Sequence, residues 1–67
     1  MSEVVSKLRF VIETTRVVET YMRFVSDEVI DALINGGLRQ SHKVLMSLYI
    51  DNAVKRLNEL KEVVEKL

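Results

Sequence analysis

The chain has 67 residues, ten basic and ten acidic side chains, one histidine and no cysteine. That length makes one domain at most, and the missing cysteines exclude disulfides and thiolate metal centres. Zero net charge excludes a protein that coats nucleic acid by bulk electrostatics alone, while a local basic patch stays open.

A chain this short buries only about 60% of its unfolded surface, so a solitary core is marginal. Small folds compensate with disulfides, a metal or oligomerisation. A single histidine leaves no histidine-rich metal site, so association with a second copy or a larger partner is the remaining route. At 48% hydrophobic residues the chain is too apolar for disorder. No apolar run approaches the length of a membrane span. The start, Met-Ser-Glu-Val-Val, lacks a basic region followed by an apolar block. A cytoplasmic, reducing setting is the expectation.

Residues 2–35 carry an apolar stripe at Val4, Leu8, Val11, Thr15, Val18, Met22, Val25, Val29 and Ala32. The steps alternate four and three, the a/d spacing of a packed helix. With Leu8 at a and Val11 at d, the c positions hold Phe10, Val17 and Phe24, and g holds Tyr21. The apolar face is therefore wide, and a helix of this kind needs neighbours on more than one side. Its polar strip holds Arg9, Arg16 and Arg23 with Ser6, Glu13, Thr20 and Asp27. Ser26-Asp27-Glu28 has the form of a helix start, so a break near Ser26 is weighed against continuity. The heptad phase runs through that point and favours one helix or a mild bend.

Gly36-Gly37 is the only strong punctuation in a chain without proline. Residues 38–67 follow with a second stripe: Met46, Ile50, Ala53, Leu57, Leu60, Val64 and Leu67. Its opening run, Val44 to Ile50, is apolar nearly all round and is expected to be the most buried part. Two helices of similar length joined by a Gly-Gly turn predict an all-α antiparallel hairpin over residues 1–67, with helix 2–35, turn 36–37 and helix 38–67. Each continuous helix would be roughly 45–50 Å long at 1.5 Å per residue. One hairpin cannot enclose the wide stripe of the first helix; two hairpins dimerising into a four-helix bundle can. The association residues are Leu8, Val11, Val18, Met22 and Val25 with Met46, Ile50, Leu57, Leu60 and Val64.

Arg39, His42 and Lys43 fall in the first turns of the second helix, where positive charge opposes the helix dipole. With free N–H groups and Ser41 nearby they form a candidate anion or nucleic-acid contact. The competing reading is a turn neutralised by Asp31, with Glu28 and Asp27 further along. Arg9, Arg16 and Arg23, seven residues apart, line one helix edge and are a second candidate phosphate or acidic-partner contact. Alternatively, each pairs with Glu13, Glu19 or Asp27 on its own helix. Acid–base catalysis needs convergent groups in a shielded place. His42 with Asp31 is the nearest approach, and Ser41 beside it points elsewhere. No catalytic, metal or cofactor site is expected, and no small-molecule substrate. Met22 and Met46 read as core; Tyr21 and Tyr49 read as interface rings with wet hydroxyls.

The segment Tyr21-Met22-Arg23-Phe24-Val25-Ser26-Asp27-Glu28-Val29-Ile30-Asp31-Ala32-Leu33 resembles the strand and first helix of ribbon-helix-helix DNA-binding proteins. Gly37-Leu38-Arg39-Gln40-Ser41 resembles the turn before their second helix. The family's Arg-Ser-Glu signature after the turn is absent. The resemblance implies a dimer with a two-stranded ribbon in the major groove and Arg23 as reader. Paired hairpins are also similar, in architecture alone, to small RNA-regulating four-helix bundles. The expected function is a non-enzymatic helical interaction module, self-associating or serving as an accessory subunit. A small nucleic-acid-binding regulator is the alternative.

Overall fold

The structure, a computed structural model, describes residues 2–67. It is all-helical: α1 spans Glu3–Ile34 and α2 spans Gln40–Glu65. Ser2 caps α1, its Oγ accepting the Val5 N–H at 3.2 Å, with Glu3 in the first turn where a negative charge suits the helix dipole. The helix runs through Ser26 without interruption. Tyr21–Val25, which the ribbon-helix-helix resemblance would make a strand, lie inside it, so that resemblance does not extend to the fold. Threonines inside the helix turn their hydroxyls back onto it: Thr15 donates to the Val11 carbonyl and Thr20 to that of Arg16.

The connection runs from Asn35 to Arg39, and both glycines are required by it. Gly36 has φ +80° and Gly37 has φ +155°. The Gly37 N–H donates to the Ala32 carbonyl at 2.9 Å, the long bond of a Schellman closure, with Gly36 in the left-handed position. Asn35 secures the same end, its backbone N–H donating to the Asp31 carbonyl and its side-chain amide to Asp31 Oδ1 at 2.6 Å. Helix α2 then starts at Gln40 with Arg39 as its N-cap, and the Arg39 backbone N–H is itself bonded from within α2.

The helices pack antiparallel with a simple register, one residue forward on α1 for one back on α2. Lys7 lies beside Lys66, Phe24 beside Tyr49 and Asp31 beside His42. The buried and half-buried residues of α1 are Lys7, Val11, Thr14, Val18, Tyr21, Val25, Glu28 and Ala32. Those are the d and g rows. On α2, with Met46, Ala53 and Leu60 at d, the seam is again d with g (His42, Tyr49, Val63), flanked by Leu45, Asn52 and Glu59. The seam is thus turned by one row from the a/d stripe. The four buried residues explain why: Thr14, Ala32, His42 and Ala53 are small, or polar with a partner. Small side chains let the backbones approach closely, and the bulkier a row would hold them apart.

Among the described residues no large side chain is fully buried. The pair measures 52 × 16 × 12 Å with a radius of gyration of 15.6 Å, against about 11 Å for a compact chain of this length. It is a single layer, where stable domains pack at least two. Val44 and Leu48, in the run expected to be most buried, are more than half exposed at 55% and 54%. No helix among the described residues is long and apolar enough to cross a membrane.

Candidate interaction face

The rotated seam decides what the hairpin shows to solvent. Viewed from one end, antiparallel helices wind in opposite senses. Rows that lie beyond the seam on one helix therefore emerge on the same side as their counterparts on the other. The a rows of α1 and α2 share one broad face with the e rows, and the c rows share the opposite face.

The a/e face is apolar along most of its length. On α1 it carries Leu8, Ile12, Met22 and Val29; on α2 it carries Ile50, Val54, Leu57 and Val64. Each is between 40% and 54% exposed. Leu33, at 78%, extends it toward the turn. There it opens into an apolar cleft of about 460 Å³ lined by Val29, Ala32, Leu33, Gly36, Gly37 and Leu38. Among the charged residues, only Glu19, Lys43 and Lys61 fall on these two rows. Lys61 is tied to Glu65 at 3.9 Å and Lys43 sits at the turn end.

The ten association residues divide between seam and face. Val11, Val18, Val25, Met46 and Leu60 are half-buried within the hairpin, whereas Leu8, Met22, Ile50, Leu57 and Val64 are exposed on the a row. Sequence reasoning missed Ile12 and Val54, which belong to the e row. A helical wheel centred on d and g would have found them. The c face is more mixed. Phe10, Val17 and Phe24 line it, and Phe24 is partly covered by the Tyr49 ring at 5.3 Å and 52°.

The area exposed is large for the mass. A folded monomer of 7.8 kDa exposes about 4,400 Å², while the hairpin exposes 5155 Å². The excess, about 750 Å², is close to what one partner contributes to a standard protein interface, about 800 Å².

The basic residues are dispersed. Arg9, Arg16 and Arg23 occupy the b row, on the outer edge of α1 away from α2. None of the three is in an ion pair among the described residues; the bridges that form within helices are Lys7–Glu3, Arg56–Glu59 and Lys61–Glu65. At the turn, Arg39 and Lys43 are exposed, but His42 points inward and is only 4% exposed. Its Nδ1 accepts the Arg39 N–H at 2.9 Å, which places the ring at the capping position three residues into α2. That bond leaves the ring proton on Nε2, which donates to Asp31 Oδ2 at 2.6 Å. Both nitrogens are therefore used inside the fold. Asp31 is held below its ordinary carboxylate range chiefly by this bond, with smaller help from Asn35 and Arg39, working against desolvation. Together Asp31, Asn35 and His42 fasten the end of α1 to the start of α2.

Comparison with protein-family models, with curated proteins and with solved structures finds no match to the chain.

Proposed function

We propose that the chain is a non-enzymatic interaction module that associates with a second copy of itself through the a/e face, forming a four-helix bundle. The observation that carries this is the apolar face shared by α1 and α2, with Leu8, Met22, Ile50 and Leu57 at 40–47% exposure in a hairpin that buries no large side chain. Contiguous apolar surface of this extent is costly in water and marks an association site. Covering one hairpin with another supplies the missing second layer. Docking of the same face onto a different protein, as an accessory subunit, follows from the same chemistry. Self-association is favoured because the excess surface matches one side of a standard interface. Placing a charge at the centre of the face tests it: Leu57→Glu and Ile50→Glu shift the chain to a monomer in light scattering. An unchanged mass for both variants contradicts the reading.

A second reading rests on the unpaired b row. Arg9, Arg16 and Arg23, at steps of about 10.5 Å, form a positive edge, with Arg39 and Lys43 beyond it at the turn. Such an edge suits phosphates or an acidic partner. A mobility-shift titration at two salt concentrations tests it, since phosphate-driven binding weakens steeply with salt. The absence of a shift at low salt removes it.

A further inference from the structure

We infer that the two hairpins of the proposed dimer lie parallel, with both turns at the same end. In that arrangement α1 of each copy covers α2 of the other, and two of the three arginines meet acidic residues of the partner. This rests on the self-association proposed above and deepens it by fixing orientation and register.

Two face-to-face arrangements use the a/e face symmetrically. In one, the two-fold axis runs along the bundle, so the turns coincide and α1 lies over the partner's α2 at equal heights. In the other, the axis crosses the bundle, the turns lie at opposite ends, and each helix lies over its own copy, reversed. Both bury the same apolar rows, so burial does not choose between them. Charge does. With a and e at the centre of the interface, b is the outer flank, the place taken by e and g in a coiled coil. Charges there set partner and orientation.

The register within the hairpin fixes what meets what. Because Phe24 is level with Tyr49 and Asp31 with His42, Arg23 is level with Ile50 and Arg9 with Val64. The b row of α2 holds Val44, Asp51, Asn58 and Glu65. In the parallel arrangement Arg23 therefore meets the partner's Asp51 and Arg9 meets the partner's Glu65, each within about one residue's rise of 1.5 Å. Arg16 meets the partner's Asn58, a neutral group. Glu19 is bracketed by Arg16 and Arg23 on its own helix and faces the partner's Val54.

Reversal places like charges together. Centring the a row so that Leu8 covers the partner's Val29 brings Arg16 beside the partner's Arg23, twice by symmetry. Glu19 then faces its own copy near the axis. The α2 rows gain nothing in compensation, because Asp51 of one copy would lie level with the partner's Asn58 and Glu65 level with the partner's Val44, neither of them basic. Like charges juxtaposed across an interface select against that alternative. The same residues explain why Arg9 and Arg23 stand without an ion pair among the described residues of one chain: their acidic partners lie on the second copy.

Two measurements test the orientation on the full chain. Ser41→Cys adds a single thiol to a chain that has no cysteine, on an exposed position away from the a/e face. Spin labels at this site lie about 30 Å apart or closer if the turns coincide. They lie at least about 40 Å apart if the turns are at opposite ends, from the height of Ser41 above the centre of the face. A short distance in a dimer by light scattering supports the inference. A long distance in a dimer overturns it while leaving self-association standing, and a monomeric mass overturns both. The second measurement is a charge-reversal cycle. Arg23→Glu and Asp51→Arg each loosen the dimer about tenfold, since every dimer has two such pairs of modest strength. The double variant regains native affinity. Arg23 and Asp51 lie on opposite outer edges of one hairpin, so a contact within the chain cannot produce that rescue. Loss in both single variants without recovery in the double contradicts the pairing.

Discussion

Replacing His42 by alanine tests the link between the turn and the packing. The ring is 4% exposed, and its Nδ1 is the acceptor for the Arg39 N–H at the start of α2. Alanine leaves that donor without its cap, a loss of about 1 kcal/mol. Removing a buried ring from the seam costs about a further 1–2 kcal/mol in packing. The expected total is about 2–3 kcal/mol, with nothing assigned to the exposed carboxylate of Asp31, which water screens. For a domain of this size each 1 kcal/mol moves the melting temperature by about 4–8 °C, so a fall of roughly 8–24 °C is expected. His42→Gln keeps an acceptor at the capping position and recovers about 1 kcal/mol of the loss. Thermal and urea unfolding followed by far-ultraviolet circular dichroism reads both variants. Protein concentration must be fixed, because association itself adds stability by mass action. A native midpoint for His42→Ala refutes the reasoning. Equal losses in the two variants would mean that the cap bond contributes nothing and packing everything.

Further outcomes follow from the same contacts. Asp31 titrates below its ordinary range in the folded protein, so its contribution is fully present above the unfolded carboxylate value. It is lost as pH falls through the lowered folded value, below about pH 4. Urea midpoints measured down the acid range show that slope, and Asp31→Asn removes its share of it. Gly36→Val costs about 1–2 kcal/mol because the residue sits at φ +80°. An added Cβ meets nothing within 4 Å, so the penalty is conformational rather than steric crowding. Gly36→Asn, which tolerates that region, loses much less in the same unfolding assay. Leu57→Glu lowers the mass to that of one chain, with helicity falling only as far as association had supported it. A native mass contradicts the face assignment.

Much of the fold was legible in the sequence, and the reason is periodicity. Alternating steps of three and four through Val25, Val29 and Ala32 require a continuous helix where Ser26-Asp27-Glu28 offers a start. Gly36-Gly37 marks the turn because a Schellman closure needs a left-handed residue. The d row (Val11, Val18, Val25, Met46, Leu60), part of the a/d stripe, lies in the seam. What periodicity does not reveal is which neighbouring row completes the seam, because a with d and g with d have the same spacing. The large a residues Leu8, Met22, Ile50 and Leu57 attract a core assignment by hydrophobicity. The structure instead closes over Thr14, Ala32 and Ala53, whose size permits close approach, and over His42, whose two ring nitrogens are both bonded. The Asp31–His42 contact was visible as a pairing across an antiparallel turn. The inward rotation of His42 was not, because it depends on the ring accepting the Arg39 N–H rather than on any sequence signal.

The mass of the native chain in solution, followed by light scattering as the protein is diluted, tests self-association most directly. A mass of twice 7.8 kDa that falls toward one chain only on strong dilution is the expected result. A fully helical, cooperatively folded chain that stays at 7.8 kDa at every concentration would contradict it, because a single layer with its a/e face in water would then be stable alone.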